Sequence, residues 1–124
     1  MSKLIKYSKT IKLPMYNCSA HFIITNNLDS YTNSIYKKYN QTSDFEGEAE
    51  GVVISPDISD YYIVIDLKYL SYNTIAHEIY HAVVRITEDR GIVDEEAQAW
   101  LCGHLSETAY RFIKKKNLII QYGS

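Results

Sequence analysis

Two hydrophobic periods divide the chain. In the first half, short runs alternate or are continuously apolar, as strands are; in the second half, apolar residues recur every three to four positions, as on a helix. Residues 3–13 alternate loosely and stop at Pro14, which predicts a strand or an ordered arm. Residues 20–25 (Ala-His-Phe-Ile-Ile-Thr) are β-branched and aromatic and predict a strand, closed by Asn26-Asn27 as a turn. Leu28, Tyr31, Ile35 and Tyr39 then fall on one helical face, with Asn27 as the N-cap. Residues 40–48 are polar and read as a loop. Residues 52–55 predict a short strand ended by Pro56-Asp57, and residues 61–67 (Tyr-Tyr-Ile-Val-Ile-Asp-Leu) a stronger one.

The remainder is helical in pattern. Ser71 or Asn73 can cap a helix running to about Arg90, with Gly91 as its stop. Ile75, Ile79, Ala82, Val83 and Ile86 form its apolar stripe. Asp94 caps a last helix to about Lys116, whose apolar face takes Ala97, Leu101, Leu105, Ala109 and Phe112. The order of elements implies an α+β fold, a small mixed sheet with helices packed on one face, as one domain over residues 1–124. The strand before the 71–90 helix is expected beside that helix, with an edge exposed for main-chain pairing with a peptide.

One pattern inside the 71–90 helix carries chemistry. His77-Glu78-Ile79-Tyr80-His81 is an HExxH signature. Histidines four apart project from one helical face, so both imidazoles can reach one metal ion. Neutral imidazole nitrogen suits Zn²⁺. Glu78 can take the proton of a water held by that ion. The chain has four histidines and eight glutamates, and random placement would yield the pattern in roughly 1% of such chains, which sets coincidence well behind the metal reading. The expectation is a small zinc-dependent hydrolase acting on a peptide or protein.

A catalytic zinc takes a third protein ligand and keeps one position open. Glu95 or Glu96 after the turn, His104 on the last helix, and His21 on a distant strand are the available sources. Glu96 is our choice, since Ala97 and Ala99 beside it would let the two helices approach closely. Acids at a first helical turn are also favoured by the helix dipole regardless of any metal. With unbroken helices, Glu96 falls roughly 8 Å along the axis from the level of His81. Tyr110 and Tyr80 are candidate oxyanion donors, with a core residue the readier reading of Tyr110. Carboxylates are expected to orient the histidines, and Glu107 and Asp66 are available for this without the sequence placing them.

The stretch 74–83 (Thr-Ile-Ala-His-Glu-Ile-Tyr-His-Ala-Val) continuing through 94–101 (Asp-Glu-Glu-Ala-Gln-Ala-Trp-Leu) resembles the zincin superfamily. Within it, the likeness is to the gluzincin-like group and to small zincin-like proteins of bacteriophages and mobile elements. There a Gly-containing strand precedes the motif helix, and Gly51-Val52-Val53-Ile54 and residues 61–67 are the candidate counterparts here. The likeness spans roughly residues 50–107. It implies His77, His81 and Glu96 as ligands and Glu78 as general base, although the spacing from His81 to Glu96 is shorter than in gluzincins. The metzincin pattern is absent: Val84 stands at its glycine and Thr87 at its third histidine. The likeness equally admits a non-catalytic virion or assembly component with a structural metal, or a regulatory peptidase that cuts one protein partner.

Composition narrows the setting. A net charge of −2 gives no reason to expect nucleic acid as a partner. Lys114-Lys115-Lys116, the main basic cluster, reads as a solvated helix end. Twelve tyrosines admit a binding surface without specifying one. Cys18 and Cys102 are too few for a disulfide framework and read as free thiols. No signal-peptide pattern or membrane-length apolar run is present, so a cytoplasmic protein with no membrane partner is expected. Nothing in the sequence sets an oligomeric state.

Overall fold

The computed structural model describes residues 4–42 and 49–122. Strand β1 (Lys6–Leu13) turns through a 3₁₀ segment, Pro14–Tyr16, into β2 (Cys18–Thr25); helix α1 (Leu28–Lys38) follows. Then come β3 (Gly51–Ile54), β4 (Asp60–Asp66), α2 (Tyr72–Asp89) and α3 (Glu95–Lys115). The expected loop over residues 40–48 lies outside the described residues from 43 onward.

The four strands form one mixed sheet in the order β1-β2-β4-β3, with β2 and β4 parallel at its centre and antiparallel partners on either side. Side-chain alternation sorts the sheet into two faces. Ala20, Phe22 and Ile24 of β2 and Tyr61, Ile63 and Ile65 of β4 point to one face, packed with Ile75, Ile79 and Ile86 of α2 and Leu101 and Leu105 of α3. Ile23, Ile54, Tyr62 and Val64 point to the other, where Leu28 and Ile35 of α1 cover them. The α+β class and the mixed sheet agree with the sequence pattern. The motif helix α2 and the long helix α3 share one face as expected, while α1 closes the opposite side. β2 and β4 are buried on both faces because each is sandwiched, which explains their near-continuous apolar runs.

The helix caps follow from side-chain chemistry. Ser71 Oγ accepts the Thr74 N–H at 3.1 Å and Asn27 Oδ1 accepts the Ser30 N–H at 3.0 Å, each worth about 1 kcal/mol. Asp94 caps α3 through the Glu96 N–H. Gly91, just past α2, takes φ 66°, a left-handed conformation that glycine adopts without a Cβ penalty. Tyr72 at the start of α2 rests on Tyr110 late in α3, with ring centroids 5.8 Å apart, so the two helices run antiparallel. The tail is stitched back by Tyr72 N–H to Gln121 O at 3.1 Å and Gln121 N–H to Leu70 O at 2.9 Å. Among the described residues, no helix is long and apolar enough to cross a membrane.

A second device fixes the far end of α2. The Arg90 guanidinium donates to Tyr16 O at 2.6 Å, to Tyr61 Oη at 2.8 Å and to Ile58 O. Tyr61 in turn donates to Asp89 Oδ2 at 2.6 Å. One arginine thus joins the C-terminus of α2 to the turns at one end of the sheet. Burial, then the bond to Asp89, push the Tyr61 phenol up to about 12.

Candidate metal centre

Helix α2 buries Ile75, Ile79, Ala82, Val83 and Ile86 and turns His77 and His81 to solvent. One helical turn separates the two imidazoles, and their Nε2 atoms stand 3.1 Å apart with ring planes at 78°. Two imidazole lone pairs facing each other repel, so one ring must donate its N–H to the other or the two must share a cation. Nitrogens on a tetrahedral zinc at about 2.0–2.1 Å are separated by about 3.3 Å. The pair therefore has the spacing of two ligands to one ion. The His77 side chain is 64% exposed, which leaves its imidazole open to solvent. Burial first, then the positive fields of His77 and Arg85, hold the His81 imidazole below its ordinary range, favouring the neutral form that a metal needs.

Glu78 points the other way, toward the sheet. It is 7% exposed, with Oε2 at 3.8 Å from His77 Nε2. Desolvation raises its pKa; His77 and Arg85 pull it back, and Glu50 pushes it up. The carboxylate fits because residue 51 is glycine: a Cβ there would stand 2.8 Å from Glu78 Cγ and 3.1 Å from Val64 O. A cleft of about 230 Å³ opens here between Glu50 and Gly51 on one side and Asn73, Thr74, His77 and Glu78 on the other.

β4 packs under α2, as expected, but the free sheet edge beside the motif belongs to β3. β4 lies between β2 and β3, so the expectation that the strand before the motif helix offers the free edge is corrected. The bond from Asp66 N–H to Glu50 O at 2.9 Å fixes the alternation along β3. Glu50, Val52 and Ile54 pair with β4, while Gly51 and Val53 turn their main-chain groups outward. Arg85, four residues after His81, donates to Val53 O at 2.6 Å and to Ser55 Oγ at 3.3 Å. Sequence reasoning missed Arg85. Its place on the His77–His81 stripe was a signal, but its target on β3 was not visible without the strand order.

The structure brings His77, Glu78 and His81 together and leaves the other expected site residues apart. Glu95 and Glu96 sit exposed in the first turn of α3. Counting back from the Tyr72–Tyr110 contact, His81 is level with Leu101, and Glu96 lies about 8 Å further along the axis. Neither helix shortens to close that gap. Among the described residues, no three His, Cys, Asp or Glu side chains form a group that could hold a metal. His104 stacks on Trp100 at 5.3 Å. His21 bonds Asp60 at 2.8 Å and Thr10 at 3.1 Å. Glu107 pairs with Arg111 at 2.8 Å and Asp66 caps the turn Leu67–Tyr69 through the Lys68 N–H. These contacts account for both carboxylates, and neither orients a motif histidine. Tyr110 leans on Tyr72, half-buried, and Tyr80 is 63% exposed. Cys18 is buried and Cys102 half-buried, both as free thiols.

No protein-family model matches the chain, and neither a curated protein nor a solved structure is significantly similar to it.

Proposed function

We propose that this chain is a zincin-like, zinc-dependent peptidase, with His77 and His81 as metal ligands, Glu78 as general base and Glu96 as the third protein ligand. One observation carries the reading: two imidazole Nε2 atoms converge to 3.1 Å beside a desolvated carboxylate 3.8 Å from one of them. Glu96 supports it more weakly. Its carboxylate is exposed and engages no described residue, but an axial gap of about 8 Å to the level of His81 must close, and shifting the first turn of α3 gives up the Asp94 cap on the Glu96 N–H.

When bound, zinc would supply Lewis-acid chemistry, making hydroxide available near pH 7 and polarising the scissile carbonyl. Glu78 accepts the proton of the attacking water and delivers it to the leaving amine. Its burial raises its basicity, which suits that exchange. The outward main-chain groups of Gly51 and the Val53 N–H offer pairing to an extended peptide, while Arg85 occupies the Val53 carbonyl and holds the strand against α2. On this reading the protein works in a cytoplasm, that of a bacterial host or a phage-infected cell.

A non-catalytic protein with a structural metal is the second reading. The small cleft favours it, since about 230 Å³ falls below the ~300–1,000 Å³ of most small-molecule sites. Glu78→Gln separates the two. A peptidase loses hydrolysis of a peptide library and keeps its metal and its melting profile. A structural protein shows no hydrolysis to lose, and its biological role survives the substitution.

A further inference from the structure

We propose that the groove between β1 and the C-terminal half of α3 docks an acidic, extended segment of a partner protein. The groove encloses about 420 Å³, nearly twice the cleft beside Glu78, and is lined by Ser8 and Lys9 on the strand and Thr108, Arg111, Lys115 and Lys116 on the helix. Although the whole chain carries −2, four of its thirteen basic residues line this one groove: Lys9 on β1, and Arg111, Lys115 and Lys116 at the end of α3. The only acid between 107 and 116 is Glu107, already paired with Arg111, and β1 has none. The helix dipole explains lysines in the last turn of α3. It does not explain Lys9, which faces them from the strand.

The strand supplies the second half of the site. β1 is a sheet edge eight residues long. The bond from Asn26 N–H to Ile5 O at 3.2 Å sets the alternation, so Lys6, Ser8, Thr10 and Lys12 turn their main-chain groups away from β2. Lysines on an edge repel another lysine-bearing edge and so guard against self-pairing. The same charges favour a strand that brings acids. Main-chain pairing would set the register and the cations would select the sequence.

Nucleic acid fits less well. Among the described residues, the one aromatic side chain lining the groove, Phe112, is 7% exposed and lies under Lys116, so it offers no free ring for a base to stack on. A long polyanion would also meet the acidic remainder of the surface, whereas a short acidic segment meets the groove alone.

Fluorescence anisotropy with a labelled peptide of alternating glutamate and threonine tests this. The wild-type protein is compared with the double variant Lys9→Glu/Lys115→Glu, both exposed positions. The expected result is a Kd of about 10–100 µM in low salt, weakened at least about tenfold in the variant and by added salt. The variant should keep its circular dichroism melt, and the Ser8 and Thr10 amides should gain exchange protection when peptide is added. No binding by about 1 mM peptide, or binding unchanged in the variant, overturns the proposal. Equal or tighter binding of an oligothymidylate of similar charge also overturns it. So does a sedimentation coefficient that rises with protein concentration and stops rising in the variant, which would make a second copy the occupant.

Discussion

Gly51 and Glu78 share space that a side chain at position 51 would take. A Cβ at 51 would lie 2.8 Å from Glu78 Cγ and 3.3 Å from its carboxylate carbon. The glycine matters here for close approach, not for unusual backbone, and it is what lets β3 lie against the motif helix. Gly51→Ala should destabilise the protein by about 1–3 kcal/mol, the range for overpacking a tight contact. In a double-mutant cycle with Glu78→Ala, the two losses should sum to more than the double variant shows, because removing Glu78 removes the clash. Thermal melts of the four metal-free proteins measure this; strict additivity would mean that the contact with Val64 O, not Glu78, dominates.

Arg85 ties that same strand to α2. Its charged bond to Val53 O should be worth about 1.5–3 kcal/mol at most, less solvent screening because the residue is exposed. Arg85→Ala should speed amide exchange at Val52 and Ile54 by up to about tenfold while leaving the Ile23 and Ile24 amides of β2 unchanged. Equal effects on both strands would place the role of Arg85 in global stability instead.

Much of this was legible in the chain. Ser71, Asn27 and Asp94 stand where a small polar residue precedes a 3.6-period run, and each caps its helix. The stripe from Ile75 to Ile86 is buried as its spacing implies. Strand order was not legible, because periodicity tells which face of a strand is apolar and not which strand it neighbours. That is why β4 was expected at the edge and why the side that α1 covers was not legible. Of the centre, the histidine pair and Glu78 were readable because helical geometry alone sets their relation. Glu96 belongs to another helix, and its distance depends on the tilt and stagger of α3, which no local pattern encodes.

The third ligand can be assigned by metal affinity. Glu96→Ala should weaken zinc binding by about 10–100-fold or more, with Glu95→Ala and His104→Ala close to wild type. Competition with a chromophoric chelator reads all three. A loss in His104→Ala with none in Glu96→Ala would move the assignment to the residue that now stacks on Trp100.

The Tyr61–Asp89–Arg90 group predicts an alkaline limit to stability. The folded protein holds the Tyr61 proton to about 12, whereas an ordinary tyrosine phenol gives it up near 10.0. A group with a raised folded pKa contributes stability that is fully present below the unfolded pKa and disappears as pH rises through the folded one. Wild type should therefore lose on the order of 2 kcal/mol between pH 10 and 12 that Tyr61→Phe does not lose. Denaturant midpoints of both proteins across that window check it. Parallel curves would show that Tyr61 titrates normally.

The central claim is that His77 and His81 hold a metal ion, and metal content tests it most directly. Purified wild type and His77→Ala, loaded with zinc and freed of excess, are compared by mass spectrometry. The account predicts about one zinc per wild-type chain and none retained by the variant. A wild-type protein that retains no metal after loading would contradict it, and the 3.1 Å approach of the two imidazoles would then be a hydrogen bond and nothing more.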